Sequence, residues 1–303
     1  MLELEKKVHR AVEVLRAFEP ENEPYYLCYS GGKDSDCIRI LAELAGVSCD
    51  IVHNLTSVDA PETVRYIKTI PDIIINRAHY KDGTPKTMWN LIPRRLMPPT
   101  RKVRYCCSEL KEHGGRGRLK ITGVRSAESV ARRKNAAEIK IIGKPATTRK
   151  YLEAENISYN IAPAGGISLN FDNTDSRRAV EHCFRNSSTL INPIIDWSDS
   201  EVWQFLDYYG CKSNPLYGCK HKRIGCIGCP FASSNQRKLE FTAYPAYYAN
   251  YVRAFERMLS ALRDKGCKTS WTSGEDVMHW WLRNDILSGQ LAFDGFSVSP
   301  IDI

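Results

Sequence analysis

Residues 25–45 read YYLCYSGGKDSDCIRILAELA, and this stretch decides the fold. Tyr25–Tyr29 is a short apolar run and predicts a strand, while Asp36–Ala45 carries a helical pattern. Between them stand Ser30, Gly31, Gly32, Lys33, Asp34 and Ser35. A strand, a glycine turn and a helix in that order make a helix N-terminus into an anion site. The glycines let backbone approach a phosphate without a Cβ clash, and free N–H groups and the helix dipole point at it. Lys33 adds a full positive charge, and Ser30 and Ser35 add hydroxyls. The ligand this suits is a nucleotide phosphate. The Walker pattern G-x-x-x-x-G-K-[ST] is excluded, because Asp34 follows Lys33 and no glycine stands five residues before Gly32.

Outward from this loop, strand and helix signals alternate. Cys49–Leu55 predicts a second strand, Pro61–Ile70 a helix with proline in its first turn, and Asp72–Asn76 a third strand. Cys106–Glu112 reads as helical and Leu119–Val124 as a strand ending at a glycine turn. Such alternation predicts an α/β fold with a doubly wound, mostly parallel sheet. Ligands of these sheets bind at the carboxyl ends of the strands, where Ser30, Thr56 and Arg125 fall. Residues 144–174 read as mainly loop with a short hairpin. Ser198 or Asp199 is placed to cap a helix over Ser200–Tyr209. Asn235–Lys265 predicts a helix broken by Pro245, and Gly274–Leu287 another. The expected division is a nucleotide-binding domain over 1–197 and a mainly helical, cysteine-containing region over 198–303.

The chain has 303 residues, enough for a large core, and carries a net charge of +8 from 43 basic and 35 acidic side chains. That favours phosphate-rich ligands and allows nucleic acid without requiring it. No run of eighteen apolar residues occurs, so no transmembrane helix is expected. The N-terminus, MLELEKKVHRAVEVLRAF, reads as an amphipathic helix rather than a signal peptide, and a cytoplasmic location is expected. A wider basic stretch runs through Arg94, Arg95, Arg101, Lys102, Arg104, Arg116, Arg118 and Lys120. Most of it reads as solvated surface; part can track a polyanionic substrate.

Eleven cysteines in a chain without a secretion signal argue against a disulfide framework. Cys28, Cys37 and Cys49 lie in or beside the first predicted elements and read as small buried hydrophobes. Cys183, Cys211 and Cys267 are isolated. The others cluster: Cys106-Cys107 are adjacent, and Cys226-x-x-Cys229 follows Cys219 by seven residues. A Cys-x-x-Cys turn puts two thiolates on one side of a tight loop. Two more complete a four-sulfur site suited to Zn²⁺ or to an iron–sulfur cluster, and spacing does not choose between them.

Ser30–Ser35 resembles the pyrophosphate loop of the adenine nucleotide alpha-hydrolase enzymes. That resemblance implies ATP cleaved between its α and β phosphates, with Mg²⁺ neutralising charge. Tandem cysteines with a distant Cys-x-x-Cys are similar to the [4Fe–4S] ligands of adenylylsulfate reductases, within the phosphoadenylylsulfate (PAPS) reductase family. The resemblance implies Cys106, Cys107, Cys226 and Cys229 as metal ligands. Cys219 has no counterpart and stands as a possible replacement for one of the pair. Asp59–Thr63 resembles the family's segment after the second strand, which would place Leu55 and Thr56 beside adenosine. Gly123-Val124-Arg125 with Arg132 resembles its arginine-bearing anion element. Asn192–Trp197 with Val202-Trp203 resembles a later segment, so the matches run from about residue 25 to 231. Arg125 has a physical case of its own: a guanidinium at a strand end grips phosphate or sulfate with two parallel N–H bonds.

The chain departs from the reductases in two respects. Their nucleophilic cysteine stands in a Glu-Cys-Gly-x-His segment, whereas this sequence closes LAFDGFSVSPIDI and Cys267 lacks the neighbours of that segment. Their pyrophosphate loop is usually degenerate, whereas Lys33, Asp34 and Ser35 are all present here. The expectation is therefore an ATP-dependent sulfurtransferase. Lys33, Asp34 and Arg125 would be its catalytic residues, with Asp34 facing Mg²⁺ or capping the helix. A sulfonucleotide reductase acting with a thiol reductant is the alternative reading, and a non-enzymatic nucleotide-binding iron–sulfur sensor a third. The sulfur donor, a nucleic-acid acceptor and self-association are left open by the sequence.

Overall fold

In a computed structural model, Tyr25–Cys28 forms the strand β1 and Lys33–Ala45 the helix α2, with the glycine turn between them. The structure describes residues 2–134, 136–142, 145–163, 165–169, 174–184, 188–219 and 223–283. Helix α1 (Leu2–Ala17) precedes β1; β2 (Cys49–Asn54), α3 (Pro61–Ile67), β3 (Ile74–Asn76) and α4 (Met88–Arg95) follow α2. Next come a π-helical turn at Cys107–Lys111, β4 (Lys120–Ile121), a 3₁₀ turn at Ser126–Glu128, α5 (Val130–Lys134) and β5 (Ile139–Ile142). Then follow α6 (Pro145–Ala154), β6 (Asn160–Ile161), β7 (Ile167–Leu169), α7 (Thr174–Phe184), β8 (Ser188–Ile191) and α8 (Asp199–Tyr208). After a 3₁₀ turn at Pro215–Tyr217 the chain forms α9 (Ser234–Ala243), α10 (Pro245–Asp264) and α11 (Gly274–Arg283).

Among the described residues the strands form one eight-stranded sheet in the order β3-β2-β1-β4-β8-β5-β7-β6. The five from β3 to β8 are parallel, and β5, β7 and β6 join antiparallel. The expected α/β sheet is present, with an antiparallel edge. Tyr25, Tyr26 and Leu27 are all buried, as a strand covered on both faces requires. On α1, Ala11, Val14, Leu15 and Phe18 repeat at helical spacing and are buried. Helices α1, α2 and α8 pack side by side, and α2 stops at Gly46 in the left-handed region.

Residues 144–174 hold more order than expected. The hairpin β6–β7 is there, but the loop reading is corrected by α6, which starts on Pro145. Its buried positions described are Thr148 and Leu152, one turn apart. A threonine in the buried position weakens the apolar period. Helix α7 was not expected either; Ser176, Ala179, Val180 and Cys183 are its buried stripe. Elsewhere α2 begins at Lys33 rather than Asp36, α3 ends at Ile67 rather than Ile70, and β4 is two residues long. Residues 284–303, including the end of the last predicted helix, lie outside the described residues.

Contacts divide the chain into two compact units. The first is Met1–Asn54, Pro61–Asn76 and Gly114–Ile224; the second is Leu55–Ala60, Arg77–His113 and Gly225–Ile303. These do not coincide with the expected border at 197/198. Helix α8 belongs to the first unit because Val202, Phe205 and Leu206 are buried in its core. The second unit packs α10 against α4, α9 and α11, burying Leu91, Tyr251, Phe255, Met258 and Trp281. Among the described residues no helix is long and apolar enough to cross a membrane.

Candidate functional site

Gly31 takes φ +75°, and a Cβ there would meet Ile67 Cγ1 at 2.9 Å, so both conformation and space require glycine. Gly32 is the extended N-cap of α2. Ser35 Oγ accepts the Gly32 N–H at 3.1 Å and donates to the Gly32 carbonyl at 2.7 Å, while Ser30 Oγ donates to Ser35 Oγ at 3.3 Å. The serines therefore brace the loop. Asn214 Nδ2 donates to the Gly31 carbonyl at 3.0 Å and to Thr63 Oγ1 at 3.2 Å. The Lys33 N–H, one of the free donors at the helix start, donates to the Tyr217 phenol oxygen at 3.0 Å.

Two cations and two carboxylates sit at this helix start. Lys33 Nζ lies 3.1 Å from Asp34 Oδ1 and 3.1 Å from Asp199 Oδ1. Arg125, only 2 % exposed, donates from Nε to Asp34 Oδ1 at 2.7 Å and from one terminal nitrogen to Asp199 Oδ1 at 2.6 Å. Its other terminal nitrogen donates to the Trp197 carbonyl at 3.1 Å. Partial burial pushes the Asp199 carboxyl up, but hydrogen bonds from Arg125 and Lys33 outweigh this and hold it below its ordinary range. A Cβ on Gly123 would lie 2.9 Å from the Asp34 carbonyl oxygen, so this glycine admits the close approach that brings Arg125 to the loop. One turn into α2, Asp36 is fully buried and accepts from the Tyr29 hydroxyl at 2.5 Å and the Tyr66 hydroxyl at 3.0 Å.

In the second unit, Cys107, Cys226 and Cys229 all lie close enough to Cys106 to push its thiol up. Cys106 and Cys107 interact with each other, which raises the Cys106 thiol and lowers that of Cys107. Cys226 and Cys229 stand on a turn closed by Cys229 N–H to the Cys226 carbonyl at 3.2 Å. That turn is pinned by the Ile227 N–H donating to the Val58 carbonyl at 2.8 Å and by the Tyr251 hydroxyl donating to the Ile227 carbonyl at 3.1 Å. The Thr56 hydroxyl lies 3.5 Å from Cys226 Sγ. Lys111 is raised above the ordinary lysine range, chiefly by its interaction with Cys226 and also with Asp59, while burial pushes the Cys226 thiol up. The donor set is four thiols, which is soft. Among the described residues no three His, Cys, Asp or Glu side chains gather as a one-ion site.

The loop residues, Gly123 and Arg125 thus come together in the first unit, and the four cysteines in the second. Thr56 stands with the cysteines, and Leu55 is half-buried in the same unit. Arg132 pairs with Glu128, which also accepts the Arg125 N–H at 3.2 Å. Cys219 is exposed and belongs to the first unit. Sequence reasoning missed Asn214 and Tyr217, and saw Asp199 only as a cap. The Asn214-Pro215 pair does signal a turn, but not where that turn docks.

Residues 24–232 match the phosphoadenosine phosphosulfate reductase domain, and the chain belongs to that family. A curated relative from Methanocaldococcus jannaschii, an uncharacterized protein, is 23 % identical over 84 % of this chain and 54 % of its own length. A protein of Escherichia phage 186 is 24 % identical over 59 % of this chain and 45 % of its own. The chain therefore spans about half the length of these curated relatives. A 44-residue stretch is 41 % identical to adenosine 5'-phosphosulfate reductase of Allochromatium vinosum, covering 14 % of this chain and 17 % of that protein. Among solved structures, a PAPS reductase of Candida auris matches with TM-score 0.43 and 14 % identity, over 75 % of this chain and 95 % of its own. The U34-tRNA thiolase of Methanococcus maripaludis, with its [4Fe–4S] cluster, matches with TM-score 0.36 and 13 % identity, over 88 % and 82 %.

Proposed function

We propose that this protein binds ATP at the Ser30–Ser35 loop, cleaves it between the α and β phosphates, and so activates an acceptor for iron–sulfur-dependent sulfur transfer. The observation that carries the reading is the complete loop at the start of α2, with Lys33 and Arg125 converging on it. Backbone N–H groups of the loop and helix start would hold the β and γ phosphates. Lys33 and Arg125 would offset charge on the departing pyrophosphate, the largest need of such a transition state. Asp34 and Asp199, which hold both cations at rest, would release them to the polyphosphate, with Asp34 turning to Mg²⁺. Cys106, Cys107, Cys226 and Cys229 would hold a [4Fe–4S] cluster. When bound, the cluster supplies the sulfur or electron chemistry that the side chains lack.

A second reading, reduction of a sulfonucleotide, is favoured by the 44-residue likeness to adenosine 5'-phosphosulfate reductase. An anaerobic assay separates the two. Pyrophosphate release from ATP, lowered about 10²–10³-fold in Lys33→Ala with the fold retained, is the expected result. Sulfite release from adenylylsulfate or phosphoadenylylsulfate with a thiol donor, without pyrophosphate from ATP, would replace the first reading by the second.

A further inference from the structure

We propose that Arg101, Lys102, Arg104 and Phe231, in the second unit, form a docking surface for a single-stranded nucleic acid. The proposal rests on the sulfur-transfer reading in that it names the class of acceptor brought to the cysteines. Between Arg94 and Arg104 the sequence has five basic residues and no acidic one. Arg94 lies over the Tyr80 ring at 3.7 Å and Arg95 pairs with Glu109. The next three cations are presented differently. Arg101, Lys102, Val103 and Arg104 are consecutive and exposed. They sit on a braced turn: Thr100 N–H donates to the Val103 carbonyl at 3.1 Å, and Val103 N–H to Thr100 Oγ1 at 3.0 Å. Arg101 Nε donates to the Pro230 carbonyl at 3.0 Å, tying this turn to the segment after Cys229.

Phe231 follows that proline and is 45 % exposed, with the Arg104 guanidinium 4.8 Å from its ring centroid. A half-exposed aromatic ring with a guanidinium over it, beside a run of five basic residues uninterrupted by an acidic one, is the chemistry that stacks unpaired bases and tracks their phosphates. A membrane would ask for a broader apolar face, and an acidic peptide has no use for a ring to stack on. Position agrees as well. Phe231 is two residues from Cys229 and Arg104 two from Cys106, so the same two segments carry the surface and the cysteines. The other basic stretch, in the first unit, differs: Arg118 is tied to the Pro24 and Tyr25 carbonyls and to Asp50.

The test is fluorescence anisotropy on the full chain, without ATP. The probes are labelled mixed-sequence RNA and DNA single strands, the matching duplex, and an abasic strand of equal length. A base-bearing strand should bind about tenfold more tightly than the abasic one, with affinity falling steeply as salt rises. Phe231→Ala should remove the difference between the two strands, Phe231→Trp should keep it, and Arg104→Glu should weaken both. The RNA and DNA arms identify which source of the shared chemistry is preferred. An abasic strand or a duplex that binds as tightly as the base-bearing strand, or an unchanged preference in Phe231→Ala, would overturn the proposal. So would equal competition by poly-glutamate, or binding to anionic vesicles but to no strand. Because no ATP is present, failure here leaves pyrophosphate release untouched, and loss of that activity leaves this result standing.

Discussion

At the scale of single residues, Asp36 links loop architecture to pH. Burial raises its pKa from the ordinary 3.8 to about 6, against hydrogen bonds from Tyr29 and Tyr66 that favour the charged form. A carboxyl whose folded pKa lies above its unfolded one binds its proton more tightly when folded. Its contribution is therefore complete below the unfolded value and is lost as pH rises through about 6. The shift corresponds to about 3 kcal/mol. Asp36→Asn keeps an acceptor for both hydroxyls, so urea midpoints should fall between about pH 4 and about pH 7 in the native protein and stay level in the variant. Gly123 gives a steric counterpart. In Gly123→Ala the new Cβ meets the Asp34 carbonyl oxygen, and the strain should destabilise the fold by about 1–3 kcal/mol by urea unfolding. Nucleotide affinity should weaken in the same variant, because Arg125 rides on that approach.

Among the elements, the β1–loop–α2 unit was legible because its signals are local: an apolar run, two glycines and a helical period within 21 consecutive residues. The pairing of Cys106 with Cys107 and of Cys226 with Cys229 was legible by spacing, whereas setting Cys219 aside rested on the family resemblance alone. Asp199, Asn214 and Tyr217 were not, because their role at the loop is made by contacts across a long separation; Lys33 and Tyr217 are 184 residues apart. The stretch from α6 to β8 was hidden for another reason. Thr148 and Ser176 occupy buried helical positions, which blurs the apolar stripe, and β6 has two residues. Helix α8 shows how a legible cap serves the site. The Ser198 hydroxyl accepts the Glu201 N–H at 3.2 Å and the Ser198 N–H donates to the Glu201 carboxylate at 2.7 Å, fixing where Asp199 stands. Ser198→Ala should cost about 1 kcal/mol by thermal or urea unfolding, and Ser198→Asp should restore it.

For the whole molecule, the division into two units matters more than the predicted border did. Four of the six tryptophans, Trp89, Trp271, Trp280 and Trp281, lie in the cysteine-bearing unit. Trp89 and Trp281 contact Tyr251, whose hydroxyl holds the Cys-x-x-Cys turn. Cys226→Ser should therefore abolish iron, sulfide and visible absorbance in anaerobically purified protein and also shift tryptophan emission. Cys267→Ser, at an exposed thiol, should do neither. Zinc in place of iron in the native protein would remove the cluster from the proposed chemistry.

The second unit is drawn from three separate stretches of chain, Leu55–Ala60, Arg77–His113 and Gly225–Ile303. It cannot be cloned, deleted or exchanged as a block. A fragment stopping near residue 224 would strand α4 without α10, its packing partner. A crossover between two relatives at any one point from 108 to 225 would pair Cys106 and Cys107 of one parent with Cys226 and Cys229 of the other. Chimeras that keep the packing and the cysteines of one parent must therefore carry the stretches of this unit over together.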